Sequence, residues 1–161
     1  MDKNIIETLK GEVHLPPYFE VYSSTNYRNN TNCYSHALGA TFPNLELYRI
    51  GAISGKKPID EKYFSIEEIK ELLFLDCDTL GLKIEESSLE EKISANQYKI
   101  KLFVCIWANE QIGDYHFWRQ DNGGIWTEKW KGYCMDQIQD PEKDRMNSDP
   151  WHFVGIYKIT R

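Results

Sequence analysis

No long apolar run, no cationic block and no paired cysteine motif occurs in this chain, and each absence removes a class of function. No stretch approaches the roughly 20 apolar residues of a membrane-spanning helix. The opening residues MDKNIIETLKGEVHL carry no apolar segment of the kind a secretory signal needs. The expected setting is therefore the cytoplasm, away from membranes. The longest basic run is the Lys56-Lys57 pair, in a chain of net charge −6. Nucleic-acid backbones require a concentrated cationic face, so no nucleic-acid partner is expected. The four cysteines, Cys33, Cys77, Cys105 and Cys134, form no C-x-x-C pair, and the four histidines are scattered. Zinc ligation needs both types clustered at ligand spacing, so no metal is expected, and the Cys-His chemistry read below needs no organic cofactor. Free thiols, not disulfides, are expected in a reducing compartment.

What is present points to one folded domain over residues 1–161. Aromatic residues make up 14% of the chain and hydrophobic residues 41%, enough to fill a core at this length. No internal repeat or low-complexity linker divides it. Residues 1–30 read as a short arm or helix followed by irregular chain, broken at Pro16-Pro17. A short helix is expected next: Thr31 or Asn32 is a good N-cap, Cys33 to Leu38 follows, and Gly39 is a natural stop. Residues 41–63, with two prolines and two glycines, read as loop. Ser65-Ile66-Glu67-Glu68 is a capping-box sequence. Ile69, Leu72, Leu73 and Leu80 carry the helical period to Gly81. A smaller helix is expected around Leu89 to Ala95, and the acidic cluster Glu85, Glu86, Glu90, Glu91 reads as a solvated face.

The second half is strand-rich. Residues 98–108 are β-branched and aromatic and become apolar on both faces, as in a central strand. Residues 114–120 and 125–130 flank Asp121-Asn122-Gly123-Gly124, a strong hairpin signal. Residues 153–160 form a last strand. Helices first and strands second indicate an α+β fold, with N-terminal helices packed on a C-terminal antiparallel sheet.

Cys33 is the candidate nucleophile. It directly follows an N-cap, where backbone N–H groups and the helix dipole favour a thiolate and offer the start of an oxyanion hole. His116, inside a predicted hairpin strand, is the candidate base, because a strand holds an imidazole rigidly. A polar group must then fix its tautomer. A symmetric two-residue turn at Asn122-Gly123 sets His116 opposite Lys129 and turns Glu128 to the other face. A one-residue shift, or a bulge at Gly123-Gly124, brings Glu128 beside His116. Glu128 is preferred, with Asp121, Thr127, Gln120 and His152 as alternatives. His36, one helical turn from Cys33, is a weaker partner for the thiol, and His14 has no supporting context. Asn32 is a cap or an oxyanion-binding amide, a role for which Asn26, Tyr27, Asn29 and Asn30 compete. Trp118, Trp126 and Trp130 could wall a substrate cleft, although strand aromatics more often pack across strands. Cys77, Cys105 and Cys134 read as inert thiols.

Asn32-Cys33-Tyr34-Ser35-His36-Ala37-Leu38-Gly39, then Asp114 to Asp121 (DYHFWRQD), then Trp126-Thr127-Glu128-Lys129, resemble the papain-like superfamily. They are similar in particular to small bacterial and phage proteins with the pattern NCYAYALG, DYHFYRQD, WSHKPG. NlpC/P60-type hydrolases share the order of Cys at a helix start, His on a strand and a polar residue on the next strand. The third block departs: those proteins have His where this chain has Glu128. The resemblance implies a papain-like fold and a Cys33–His116 pair acting on an amide or peptide bond, by hydrolysis or acyl transfer. Candidate substrate-side residues are Asn32, Tyr27 and Trp118, and the expected partner is a peptide, protein or small amide. It does not define a substrate, since the superfamily spans many acyl chemistries. The alternative is a binding module on the same fold that sequesters a protein or a signalling ligand.

Overall fold

The computed structural model describes residues 31–39, 49–57, 61–130 and 135–161. Its elements are helix α1 (Cys33–Leu38), helix α2 (Ile66–Thr79), strands β1 (Lys83–Glu86), β2 (Gln97–Ile106), β3 (Ile112–Gln120), β4 (Trp126–Lys129) and β5 (Met135–Gln137), a 3-10 turn (Arg145–Asn147), and strand β6 (Trp151–Thr160). The expected N-terminal arm, with His14, Tyr27 and the neighbouring asparagines, lies outside the described residues, as does Cys134.

The strands form one antiparallel sheet in the order β1-β6-β2-β3-β4-β5. The fold is therefore α+β, with helices preceding an antiparallel sheet. Alternation along the central strands divides two cores. Tyr98, Ile100, Leu102 and Val104 of β2, Tyr115 and Phe117 of β3, and Tyr157 and Ile159 of β6 meet Tyr34, Ala37 and Leu38 of α1 and Ile69, Leu72 and Leu73 of α2. Phe103, Trp118, Trp126, Ile138 and Met146 form a second, smaller core on the opposite face, edged by Trp130 and Trp151. The two-sided apolar character read in residues 98–108 is this double burial.

Local chemistry accounts for the boundaries. The Ser65 side chain caps α2 by accepting the Glu68 N–H at 3.0 Å. Glu68 reaches back to the Phe64 N–H and to Lys57 Nζ, each at 2.6 Å. Gly81, at φ +73°, turns the chain out of the helix as expected. The helix expected at residues 89–95 does not form. Lys99 Nζ binds the carbonyls of Ser88 and Leu89 at 2.7 and 3.0 Å, which ties this segment to β2 in a non-helical course. Lys158 binds Glu91 from the neighbouring β6, so part of the acidic cluster is an ion-paired surface. Strands β1 and β5 were not expected. The β1 sequence Lys-Ile-Glu-Glu has little strand character of its own and is held by pairing with β6. Among the described residues, no helix is long and apolar enough to cross a membrane.

Asp76 ties the helical layer together. It is fully buried on α2. It accepts hydrogen bonds from Tyr34 Oη of α1 at 2.5 Å and from the Gly51 and Ser54 N–H groups at 2.7 Å each. Replacing it with Ala strands two buried donors and one partly buried donor. Asp76→Ala should therefore lose about 3 kcal/mol or more of stability. Urea unfolding measures this, and a loss well under 1 kcal/mol would show that the network does not hold α1 to α2.

Candidate functional site

The sequence builds the first half of the site at α1. Asn32 is extended (φ −118°), its side chain accepts the Ser35 N–H at 3.0 Å, and Ser35 Oγ accepts the Asn32 N–H at 2.9 Å. This reciprocal box fixes Cys33 as the first helical residue. Gly39, at φ +66°, closes the helix six residues later. Tyr34 then docks α1 on β3: its ring stacks on Phe117 (5.7 Å between centroids) and meets Tyr115 edge-on (6.3 Å). Cys33 is carried against the strand between these two anchors. Its Sγ lies 3.9 Å from the Tyr115 carbonyl oxygen. Strand β2 pairs with β3 along the full length of its other edge, so the sulfur occupies the β4 edge. There the β3–β4 ladder has ended at Trp118↔Glu128.

His116 lies between Tyr115 and Phe117, so its side chain projects to the opposite face. The imidazole is fully buried. It stacks on the Trp130 indole at 3.8 Å and 10°, and meets the Trp151 edge at 6.2 Å. Its Nε2 lies 2.8 Å from Glu128 Oε2. The hairpin register makes this possible: Trp118 pairs with Glu128, Arg119 with Thr127 and Gln120 with Trp126. The loop of residues 121–125 is one residue off the symmetric turn. It closes by a hydrogen bond from Gly124 N–H to Asp121 C=O at 2.9 Å, with Gly124 at φ +84°. Glu128 therefore shares the His116 face, as the shifted register requires.

The carboxylate also sets the tautomer. An ionised Glu128 only accepts, so Nε2 carries the proton and Nδ1 carries the lone pair. Nδ1 is buried and has no hydrogen-bond partner among the described residues. Desolvation holds the imidazole below its usual pKa, against the opposing pull of Glu128. Desolvation acts on Glu128 in the other direction, yet the hydrogen bond and charge of His116 keep it below the usual carboxylate value. At neutral pH the pair is a neutral imidazole donating to a carboxylate.

Cys33 departs from expectation. Burial, with the nearby Asp114 carboxylate, pushes its thiol up to about 12, while the backbone N–H groups of Phe117, Tyr34 and Cys33 itself pull the other way. A six-residue helix has too small a dipole to reverse the desolvation cost. The resting sulfur is a thiol, and no hydrogen bond joins it to the imidazole.

The remaining candidates have other partners. Asp121 binds Arg119 Nε at 2.8 Å. The Thr127 hydroxyl meets His36 Nε2 at 2.9 Å and donates to the Arg119 carbonyl at 3.3 Å, so it accepts from His36. His36 is fully buried, and desolvation together with Arg119, Lys129 and His116 holds it neutral. It is a core histidine, not a second partner for the thiol. Gln120 Nε2 donates to the Gly124 carbonyl. His152 is exposed and faces Asp149 at 3.5 Å. Asn32 acts as the cap. Trp118 is corrected from cleft wall to core: it is fully buried between Phe103 and Trp126 and offers a substrate no surface. Cys77 and Cys105 are buried. Asp114, Trp151 and Arg145 were not anticipated as neighbours of the site. Asp114 was recoverable, since it lies two residues before His116 on one strand. Arg145 comes from a loop whose sequence gives no such signal.

A groove of about 750 Å³ between α2 and β1 is lined by Phe74, Leu75, Leu82 and Ile84 with charged neighbours, and neither Cys33 nor His116 lines it. It contains no cysteine or histidine among the described residues. Among the described residues no group of three or more His, Cys, Asp or Glu side chains is arranged to hold a metal ion. Comparison with known proteins gives no match: no protein family, no curated protein and no solved structure is significantly similar to this chain.

Two outcomes are expected in solution. His36 and His116 have folded pKa values below their unfolded value, so the unfolded chain binds more protons and stability rises with pH. That stability is complete above about 6.5 and is lost as pH falls below it. Urea midpoints should drop between neutral pH and pH of about 5, with a shallower slope in His36→Gln. An unchanged slope in that variant would show that His36 is not held neutral. Iodoacetamide should alkylate Cys33 more slowly than a free thiol at neutral pH, with a rate that climbs above the ordinary thiol pKa. Faster labelling would show a stabilised thiolate.

Proposed function

We propose that this chain is a cysteine-nucleophile hydrolase or acyl transferase of the papain-like, NlpC/P60-type kind, acting on an amide or peptide bond. The observation that carries the proposal is the His116–Glu128 pair, which leaves a lone pair at His116 Nδ1 on the same strand whose Tyr115 carbonyl the Cys33 sulfur approaches. In the proposed reaction Sγ attacks the acyl carbon as Nδ1 takes the thiol proton. Glu128 stabilises the imidazolium that forms. The N–H groups of Cys33 and Tyr34, at the start of α1, face the developing oxyanion. The tetrahedral adduct expels the amine, which leaves with the proton from Nδ1. Water, or a second amine, then resolves the thioester and frees the thiol. A thiol with a raised pKa suits this sequence: the proton leaves during attack, and no resting ion pair is needed. Sγ and Nδ1 must close to hydrogen-bond distance when substrate binds, as unliganded catalytic pairs commonly require. The substrate is a peptide, protein or small amide, and the setting is a reducing cytoplasm where Cys33 stays free.

One observation favours a second reading, a binding module on the same fold: the protonated, desolvated thiol is a poor resting nucleophile. p-Nitrophenyl acetate separates the two. An enzyme releases nitrophenol and carries an acetyl thioester on Cys33, found by peptide mass mapping. His116→Gln should slow that acylation by about a hundredfold, Glu128→Gln by about tenfold, and Cys33→Ala should abolish it. Acylation of Cys33 at the same rate in wild type and His116→Gln overturns the mechanism and leaves the binding reading.

A further inference from the structure

Beside the imidazole stands a cation that the proposed chemistry does not use. Arg145 opens the 3-10 turn Arg145–Asn147, and its position is set from several sides. Asp144 Oδ1 accepts the Met146 N–H at 2.9 Å, the Ser148 hydroxyl donates to the Arg145 carbonyl at 3.0 Å, and Asn147 Nδ2 donates to the Pro141 carbonyl at 2.7 Å. Met146 is fully buried in the second core with Phe103, Trp118 and Trp126, which anchors the turn to the sheet. The Arg145 guanidinium lies 4.7 Å from the centroid of the Trp130 ring. That same ring stacks on His116 at 3.8 Å. Arg145, Trp130 and His116 thus form one stacked column, and the arginine charge acts on both His116 and Glu128.

The side chain is exposed, and among the described residues no carboxylate lies within ion-pair distance of it. This is notable in a chain with 25 acidic and 19 basic residues. Arg119, by contrast, is buried and committed to Asp121 at 2.8 Å. An arginine held by stacking, with its fork of N–H donors unspent and turned to solvent, is organised to receive a planar anion. The Glu128 carboxylate, within reach of the arginine charge, disfavours a dianion such as phosphate and suits a single carboxylate. At the base of the column, His116 Nδ1 is buried without a partner and marks where a reacting group would stand.

We infer that Arg145 is a specificity residue that binds a carboxylate, and that the substrate is an amide carrying an acidic group close to the acyl carbon attacked by Cys33. The substrate part of this inference rests on the hydrolase reading; the carboxylate site does not. Two measurements on the full chain keep them distinct. In the first, N-acetylglycine and its neutral amide are titrated while the Trp130 indole N–H and Arg145 Nε–H signals are followed by NMR. The carboxylate should move both signals, the amide should not, and Arg145→Gln should abolish the Trp130 response. Equal responses to both probes, no response, or a Trp130 response that survives Arg145→Gln overturns the site. In the second, Cys33 acylation by p-nitrophenyl hydrogen succinate is compared with acylation by p-nitrophenyl acetate. The ratio of the two rates should fall by about tenfold or more in Arg145→Gln and be partly kept in Arg145→Lys. An unchanged ratio overturns the specificity role. Carboxylate binding at Arg145 with no acylation of Cys33 by either ester refutes the hydrolase reading and leaves a carboxylate-binding site standing.

Discussion

The hydrogen bond from His116 Nε2 to Glu128 depends on a single residue of hairpin register, and the rest of the site depends on that bond. Had the β3–β4 turn been symmetric, Lys129 would stand opposite His116 and the glutamate would face the helical core. The five-residue loop ending near Gly124 moves β4 by one position, which places the carboxylate on the imidazole and the Lys129 ammonium against backbone carbonyls of Thr31 and Trp130. With Glu128 in place, the imidazole has one permitted neutral tautomer and its lone pair is assigned. Without it, a buried histidine in contact with two tryptophans would be core.

The same register creates the space for the thiol. Strand β4 stops pairing at Glu128, leaving the β3 edge at Tyr115 to Phe117 open to the N-terminus of α1. Tyr34, wedged against Tyr115 and Phe117 and tethered through its hydroxyl to Asp76, fixes how α1 approaches that gap. The sulfur and the imidazole are thus delivered by different layers, one from the helical side and one from the far face of the sheet. The sulfur lies against the Tyr115 carbonyl, one residue along β3 from the histidine. Both groups are desolvated, and desolvation drives each toward its neutral form. In the reaction proposed above, charge separation would arise only as the acyl group is attacked.

Much of this was legible in the sequence, and the parts that were not share a cause. Helix α1 was readable to the residue because its signals are local: an Asn cap, a Ser three residues on, and a Gly stop. Helix α2 and the strands β2, β3, β4 and β6 followed from period and residue type. Glu128 was recognisable as a candidate, but its face was not, because a run of Asp-Asn-Gly-Gly permits more than one turn length. The missed elements depended on distant contacts. Strand β1 is a charged segment recruited by β6, and the helix expected at residues 89–95 was lost to Lys99 from another strand. The thiol pKa was misjudged because cap position is a local property and burial is not. Trp118 was resolved as core for the same reason, its neighbours lying on β2 and β4. Arg145 is brought to the site by long-range packing, that of Met146 in the second core and of its own guanidinium on Trp130.

The protonation state of the His116 ring is read most directly from its nitrogen spectrum. Long-range proton–nitrogen correlation at neutral pH should show a neutral imidazole protonated at Nε2, with Nδ1 carrying the lone pair. Glu128→Ala should release that preference. An Nδ1-protonated ring, or an imidazolium at neutral pH, would contradict the account, because neither leaves His116 able to take the proton from Cys33.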